Sequence, residues 1–252
     1  MESARQRACR RGLPLCALAL LAALSARRSA PEAFVQEVAT LRSAGKPGSD
    51  RPAEDAVLRA LLQVQKEKGQ LNQEAPYLEK LTGSGRPGGK RWRLVYLATK
   101  NAVVAERKGT PPPSPLDRGW YVDGFVTAVQ RFEDSSSKHV NQNGVFEMLG
   151  LGGFFFGYFA RFKWPAPEKR TTLAFQPITN NLKVFGKDFA WPFPKALSSE
   201  DFEAARLQDL NIFNFFYVDD EVAIAQGASG SVALWGATDA AWDAKHLIPV
   251  DD

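Results

Sequence analysis

Apolar and polar positions alternate with period 2 through much of the chain beyond residue 90. The longest such tract is residues 150–164, GLGGFFFGYFARFKW. Its even positions are Phe154, Phe156, Tyr158, Ala160, Phe162 and Trp164, a nearly unbroken aromatic row. Its odd positions turn polar only at Arg161 and Lys163. A row of this kind predicts a long strand with one face buried. Phe155 and Phe159 fall on the opposite face, to meet lipid or a partner, or to lie under a loop or helix.

Shorter strands are expected at residues 90–96 (KRWRLVY), 126–133 (VTAVQRFE), 140–146 and 170–175 (RTTLAF). Residues 211–235, NIFNFFYVDDEVAIAQGASGSVALW, divide into three strands at 211–218, 222–225 and 231–235. Turns at 219–221 and 227–230 separate them. Strands joined this tightly form an antiparallel meander. The sequence as a whole predicts an all-β body with flanking helices.

Helical periodicity is confined to the region before the first strand. Asp50 and Pro52 signal a helix start, Val57, Leu58, Leu61, Leu62 and Val64 make one stripe, and Gly69 ends it. The expected helix is residues 52–68, capping an opening of the β-body, with a second short helix over 71–81. A short acidic helix is expected near residues 198–207, after a loop at Trp191, Pro192, Phe193 and Pro194. Residues 110–115, TPPPSP, read as a stiff insertion between strands. Gly83, Gly85 and Gly88 match G-x-G-x-x-G, but a dinucleotide site follows a strand and opens a helix. These glycines precede a strand and read as a linker.

Charge changes the picture mainly at the N-terminus. The net charge is +4, yet residues 1–30 hold six arginines and one acid, and without them 26 basic residues face 27 acidic ones. A basic footprint for nucleic acid is therefore absent from the body. Residues 5–11 are basic, 13–24 apolar and 23–26 small, the composition of a secretory signal peptide. Residues 27–51 are rich in Arg, Ser, Ala and Pro with Phe34 near their start. A signal peptide followed by such a tract resembles the bipartite presequence of proteins imported into complex plastids. The expected organisation is a signal peptide at 1–26, a transit-like leader at 27–51 and one domain at 52–246. Plain secretion stays open, although the chain has no N-glycosylation sequon.

Candidate chemistry is sparse. Cys9 and Cys16 both lie in the leader, so the body has no thiol for a disulfide, a zinc site or a nucleophile. His139 and His246 are far apart in sequence, and no strand–turn–helix nucleophile elbow accompanies the serines. Asp219, Asp220 and Glu221 sit in a turn, where acids serve local hydrogen bonding. The expectation is a protein with no catalytic residues, no metal and no cofactor.

The order Asp209, Tyr217, Asp219, Val222, Ile224, Gly227, Gly230 resembles the C-terminal signature of the plastid lipid-associated proteins, the fibrillins. The strands at 90–96, 126–133, 140–146 and 170–175 are similar to earlier strands of that family, in the same order. Ala223 and Gln226 stand where the family carries arginines. The resemblance implies a lipocalin-like antiparallel β-barrel with an N-terminal capping helix. It also implies binding of an isoprenoid, carotenoid, quinone or other lipid, and association with thylakoids or plastid lipid droplets.

An aromatic inner face either fills a barrel or lines a cavity. The candidate ligand-binding residues are Trp92, Leu94, Tyr96, Phe156, Tyr158, Phe162, Phe175 and Tyr217, with Asp219, Gly227 and Gly230 as the signature turns. Two alternatives remain: a non-catalytic scaffold docking on a photosynthetic membrane complex through Phe155 and Phe159, and a secreted lipocalin-like carrier.

Overall fold

The alternating tracts become ten strands of one antiparallel sheet in the computed structural model. They are β1 (Lys90–Ala98), β2 (Gly119–Tyr121), β3 (Thr127–Asp134), β4 (Val140–Glu147), β5 (Phe154–Lys163) and β6 (Thr172–Val184), then β7 (Lys187–Pro192), β8 (Asn211–Val218), β9 (Val222–Gly227) and β10 (Val232–Ala237). Among the described residues six α-helices flank them: α1 (Ala30–Gly45), α2 (Glu54–Leu71), α3 (Tyr77–Thr82), α4 (Lys100–Lys108), α5 (Ser199–Ala204) and α6 (Ala240–Lys245). The protein is thus mainly β with flanking helices.

The structure describes residues 30–48, 50–71, 77–83, 89–123, 127–134, 140–147, 154–164 and 171–246. The signal-like segment, both cysteines, the linker residues 84–88, the serines at 135–137 and His139 lie outside the described residues. Residues 1–36 make one compact unit, described from residue 30 on as the first turns of α1, and residues 37–252 make the other.

Strand order is β10-β9-β8-β6-β5-β4-β3-β1-β2; β7 pairs with β6, and β10 pairs with β1 as well as β9. Residues paired directly across a ladder share a face, so the registers trace one inner face around the strands. Trp92 stands opposite Ala237 on one side and Gln130 on the other. Leu94 stands opposite Trp235, Phe162 opposite Phe175, and Phe213 opposite both Leu173 and Gly227. All of these except Gln130 and Gly227 meet in the main core with Phe132, Phe215, Trp164, Tyr77 and Leu81. Phe175 and Phe213 stack at 4.8 Å, while Phe132 meets Phe162 edge-on at 5.9 Å. Helix α3 packs against β3 and β8, and its Leu81 carbonyl accepts the Trp92 indole N–H at 2.9 Å.

Helix α2 packs against β8, β2 and α4. Of its expected stripe Val57, Leu58, Leu61 and Val64 are buried and Leu62 is half-buried, while Ala60, outside that stripe, is buried too. It begins at Glu54, two residues later than the proline signal suggests, with Val57 N–H bonded to the Ala53 carbonyl. Helix α4 is an addition to the expected plan. Thr99 caps its start by accepting from the Ala102 N–H at 3.1 Å, and Gly109 ends it at φ 64°.

In the segment before residue 51, Val38, Leu41 and Ala44 are buried. At the end of α1, Gly45 lies against Gly236 of β10, where a Cβ on Gly236 would meet the Gly45 carbonyl oxygen at 2.5 Å. Two ion pairs hold this segment. Arg42 contacts Asp219 at 2.8 Å, and Arg51 binds both oxygens of Asp123 at 2.6 and 2.7 Å. Arg93, almost fully buried, shares Asp123 and also donates to the Gly45 carbonyl at 2.6 Å. Burial pulls the Arg93 pKa down, against the opposing attraction of Asp123.

Candidate functional site: an aromatic shelf on the inner face

Strand β6 changes partner along its length. Residues 172–175 pair with β8, whereas residues 179–184 pair with β7. The second half of the β5–β6 ladder, with β7, therefore extends past the strands that enclose the main core. The inner face continues onto this extension in two rows. One runs from Ala128 across the β4 backbone to Phe156, Leu182 and Phe189, and the other from Gln130 across Gly144 to Tyr158, Asn180 and Trp191. Phe156 and Trp191 rings lie 6.4 Å apart. Phe156, Tyr158 and Leu182 are half-buried, while Phe189 and Trp191 are 51% and 41% exposed.

The shelf is apolar with polar groups at its inner end. Asn180 is buried beside Tyr158 in register. Burial pushes the Tyr158 phenol up to about 12, and a hydrogen bond from Gln130 pulls the other way. A phenol in this state stays neutral across the physiological range and acts as a hydrogen-bonding group, not as a base. Among the described residues no three His, Cys, Asp or Glu side chains come together to hold a metal ion.

The structure sorts the eight sequence candidates into three places. Trp92, Leu94, Phe162 and Phe175 belong to the main core, packed by their own neighbours. Phe156 and Tyr158 are on the shelf. Tyr96 and Tyr217 are corrected: they leave the inner face. A register shift falls between Leu94 and Tyr96 against β10, and another between Phe215 and Tyr217 against β9. Each bulge inserts one residue, and a one-residue slip sends the following side chains to the other face. Tyr96 accordingly reaches α2, donating to the Glu54 carbonyl at 2.8 Å.

Tyr217 donates to Asp219 at 2.9 Å. Asp219 also accepts from the Glu221 and Val222 N–H groups at 2.8 Å and from Arg42, so the acid triplet's first member is committed to the turn. Gly227 and Gly230 form the second turn, with the Gly230 N–H bonded to the Gly227 carbonyl at 3.0 Å and Gly230 at φ 89°. Ala223 lies in the core and Gln226 binds Gln65 of α2 at 3.1 Å.

The docking pair is corrected in part. Phe155 is buried against Val129 and Trp242 because α6 covers that side, while Phe159 is half-buried. Among the described residues the exposed aromatic side chains are elsewhere, at Phe185, Phe189, Trp191 and Phe193. Sequence reading missed the shelf's outer wall because Pro192 made residues 191–194 look like loop. The alternation Asp188, Phe189, Ala190, Trp191 was the available signal, and proline at the end of an edge strand is compatible with it. The chain matches no family model, and a comparison with curated proteins finds no match.

Proposed function

We propose that this chain is a non-catalytic lipid-binding protein of the plastid. It would take an isoprenoid, carotenoid, quinone or other lipid on the shelf at the mouth of a lipocalin-like barrel. The observation that carries this reading is the aromatic inner face emerging from a filled core onto the exposed surface of β5, β6 and β7. A soluble protein gains by covering such a contiguous apolar surface. Pairing of β10 with β1 from Trp92 and Ala237 to Ala98 and Val232 supports the barrel geometry. The fibrillin resemblance of residues 211–235 supports the ligand class. Covering about 200 Å² of shelf, the area of one aromatic side chain, contributes about 5 kcal/mol at roughly 25 cal/mol per Å².

The test is titration of delipidated protein with a carotenoid and a prenylquinone, followed by tryptophan quenching. Saturable binding that Phe156→Asp and Trp191→Asp each weaken supports the reading. Absence of saturable binding, or binding indifferent to both changes, removes it. Fusing residues 1–36 to a fluorescent protein tests the destination, and signal in the medium alone points to secretion instead.

A second reading, peripheral membrane contact, rests on the β6–β7 hairpin tip. Phe185 and Gly186 form its two-residue turn at φ 46° and 82°, and Phe185 is 79% exposed. Asn or Gly is the favoured residue at the first of these positions. A phenylalanine there gives up turn stability and places a ring in water beside Lys183 and Lys187. Anionic vesicles that sediment the wild type but not Phe185→Ser would support this contact. Equal sedimentation of the two would exclude it.

A further inference from the structure

Gln130 and Tyr158 stand in the same inner-face row with only Gly144 of β4 between them. Adjacent strands are about 4.8 Å apart, so the two Cα atoms are separated by about 10 Å. Glycine places no side chain of its own between them, and Gln130 hydrogen-bonds the Tyr158 hydroxyl. The Gln130 carboxamide oxygen Oε1 is buried and, among the described residues, has no hydrogen-bond partner. The bond to Tyr158 is therefore donated by the amide nitrogen, and the oxygen is left as an acceptor with nothing to accept. Buried acceptors in native proteins are nearly always satisfied, because an unsatisfied one costs about 1–3 kcal/mol.

This acceptor lies where the shelf meets the core. Its row neighbours are Tyr158, Asn180 and Trp191, and the adjacent row is Phe156, Leu182 and Phe189. An apolar molecule lying along the rings would bring one end to Gln130. Carotenes, quinones and esters have no donor to offer there, whereas a hydroxyl does. A cationic amine would need a carboxylate on this face, and Asp188 alternates with Phe189 to the other one. We infer that the shelf selects apolar alcohols, with Gln130 Oε1 accepting the ligand's hydroxyl proton. The inference rests on the shelf being a lipid site and narrows the class of lipid it takes.

Farnesol and farnesyl methyl ether share a skeleton and differ in the donor proton. Each is titrated into the full chain, followed by tryptophan fluorescence. The expected result is that the alcohol binds about tenfold tighter than the ether. In Gln130→Leu the preference disappears while ether affinity stays as in the wild type. Gln130→Met, also apolar and similar in length, provides an independent replacement should the leucine variant fail to fold. Equal affinities for the two probes in the wild type, or a preference that survives both substitutions, overturns the hydroxyl anchor and leaves the shelf intact. Failure of both probes to bind removes the shelf reading and the anchor with it.

Discussion

Trp92 and Trp191 occupy the same inner face and experience different surroundings. Trp92 is fully buried, with its indole N–H satisfied by the Leu81 carbonyl and its ring within the main core. Trp191 is 41% exposed on a strand that, among the described residues, pairs with β6 alone. Around Trp92, helices and strands on both sides have closed over the rings. Around Trp191 no element among the described residues covers the same aromatic face. One region is organised for stability and the other keeps apolar surface available, at the cost of leaving it in water. The difference separates residues that hold the fold from residues free to meet a ligand.

Breaking the buried side should have the largest effects. Asp123→Ala leaves Arg93 and Arg51 without their shared carboxylate, and a loss of about 3–5 kcal/mol in urea unfolding is expected. Trp92→Ala should cost a similar amount, about 3–5 kcal/mol, by emptying the core. The matched change Trp191→Ala should fall within about 0.5 kcal/mol of the wild type. Similar losses for the two tryptophans would erase the contrast. Gly236→Ala drives a methyl group into the Gly45 carbonyl and should destabilise by about 1–3 kcal/mol, measured as a shift in the urea midpoint.

Asp219 supplies a pH test of the buried side. Burial alone would raise its pKa, but bonds from the Val222 and Glu221 N–H groups, Arg42 and Tyr217 outweigh it and hold the carboxyl below its usual value. Its stabilising contribution is complete above the unfolded value, near pH 4, and is lost as pH falls through the lower folded value. Acid titration of stability should therefore be shallower in Asp219→Asn than in the wild type. Identical acid limbs would mean that the turn does not depend on the charge.

The smallest effect belongs to the exposed side and has the opposite sign. Phe185→Asn puts a residue suited to the left-handed region into the hairpin turn and should raise stability by about 1 kcal/mol. A fall in the melting temperature would show that the Phe185 ring makes contacts beyond the turn.

The three C-terminal strands and the turns between them were legible as elements, because alternation and turn residues are both local signals, although the second and third run on to Gly227 and Ala237. The strand at 154–163 was equally clear, yet which of its rings face a ligand was not. Helix α1 had a readable stripe in Val38, Leu41 and Ala44, obscured by a composition that suits a leader. Helix α4 is short, and only its Thr99 and Gly109 caps announced it. Tyr96 and Tyr217 were misplaced because a β-bulge depends on how two strands pair, and no single strand encodes it.

Sequence alone determined the mainly β character, the inner-face residues of each regular strand and the Asp219 turn, since these follow from side-chain alternation and local hydrogen bonding. Tertiary structure alone decided the rest. It chose which stretch of inner face was filled by Trp92, Phe132, Phe162 and Phe215, and which emerged beside Tyr158 and Trp191. It also left Gln130 Oε1 without a donor among the described residues, because partnership across strands depends on register and on the glycine between them.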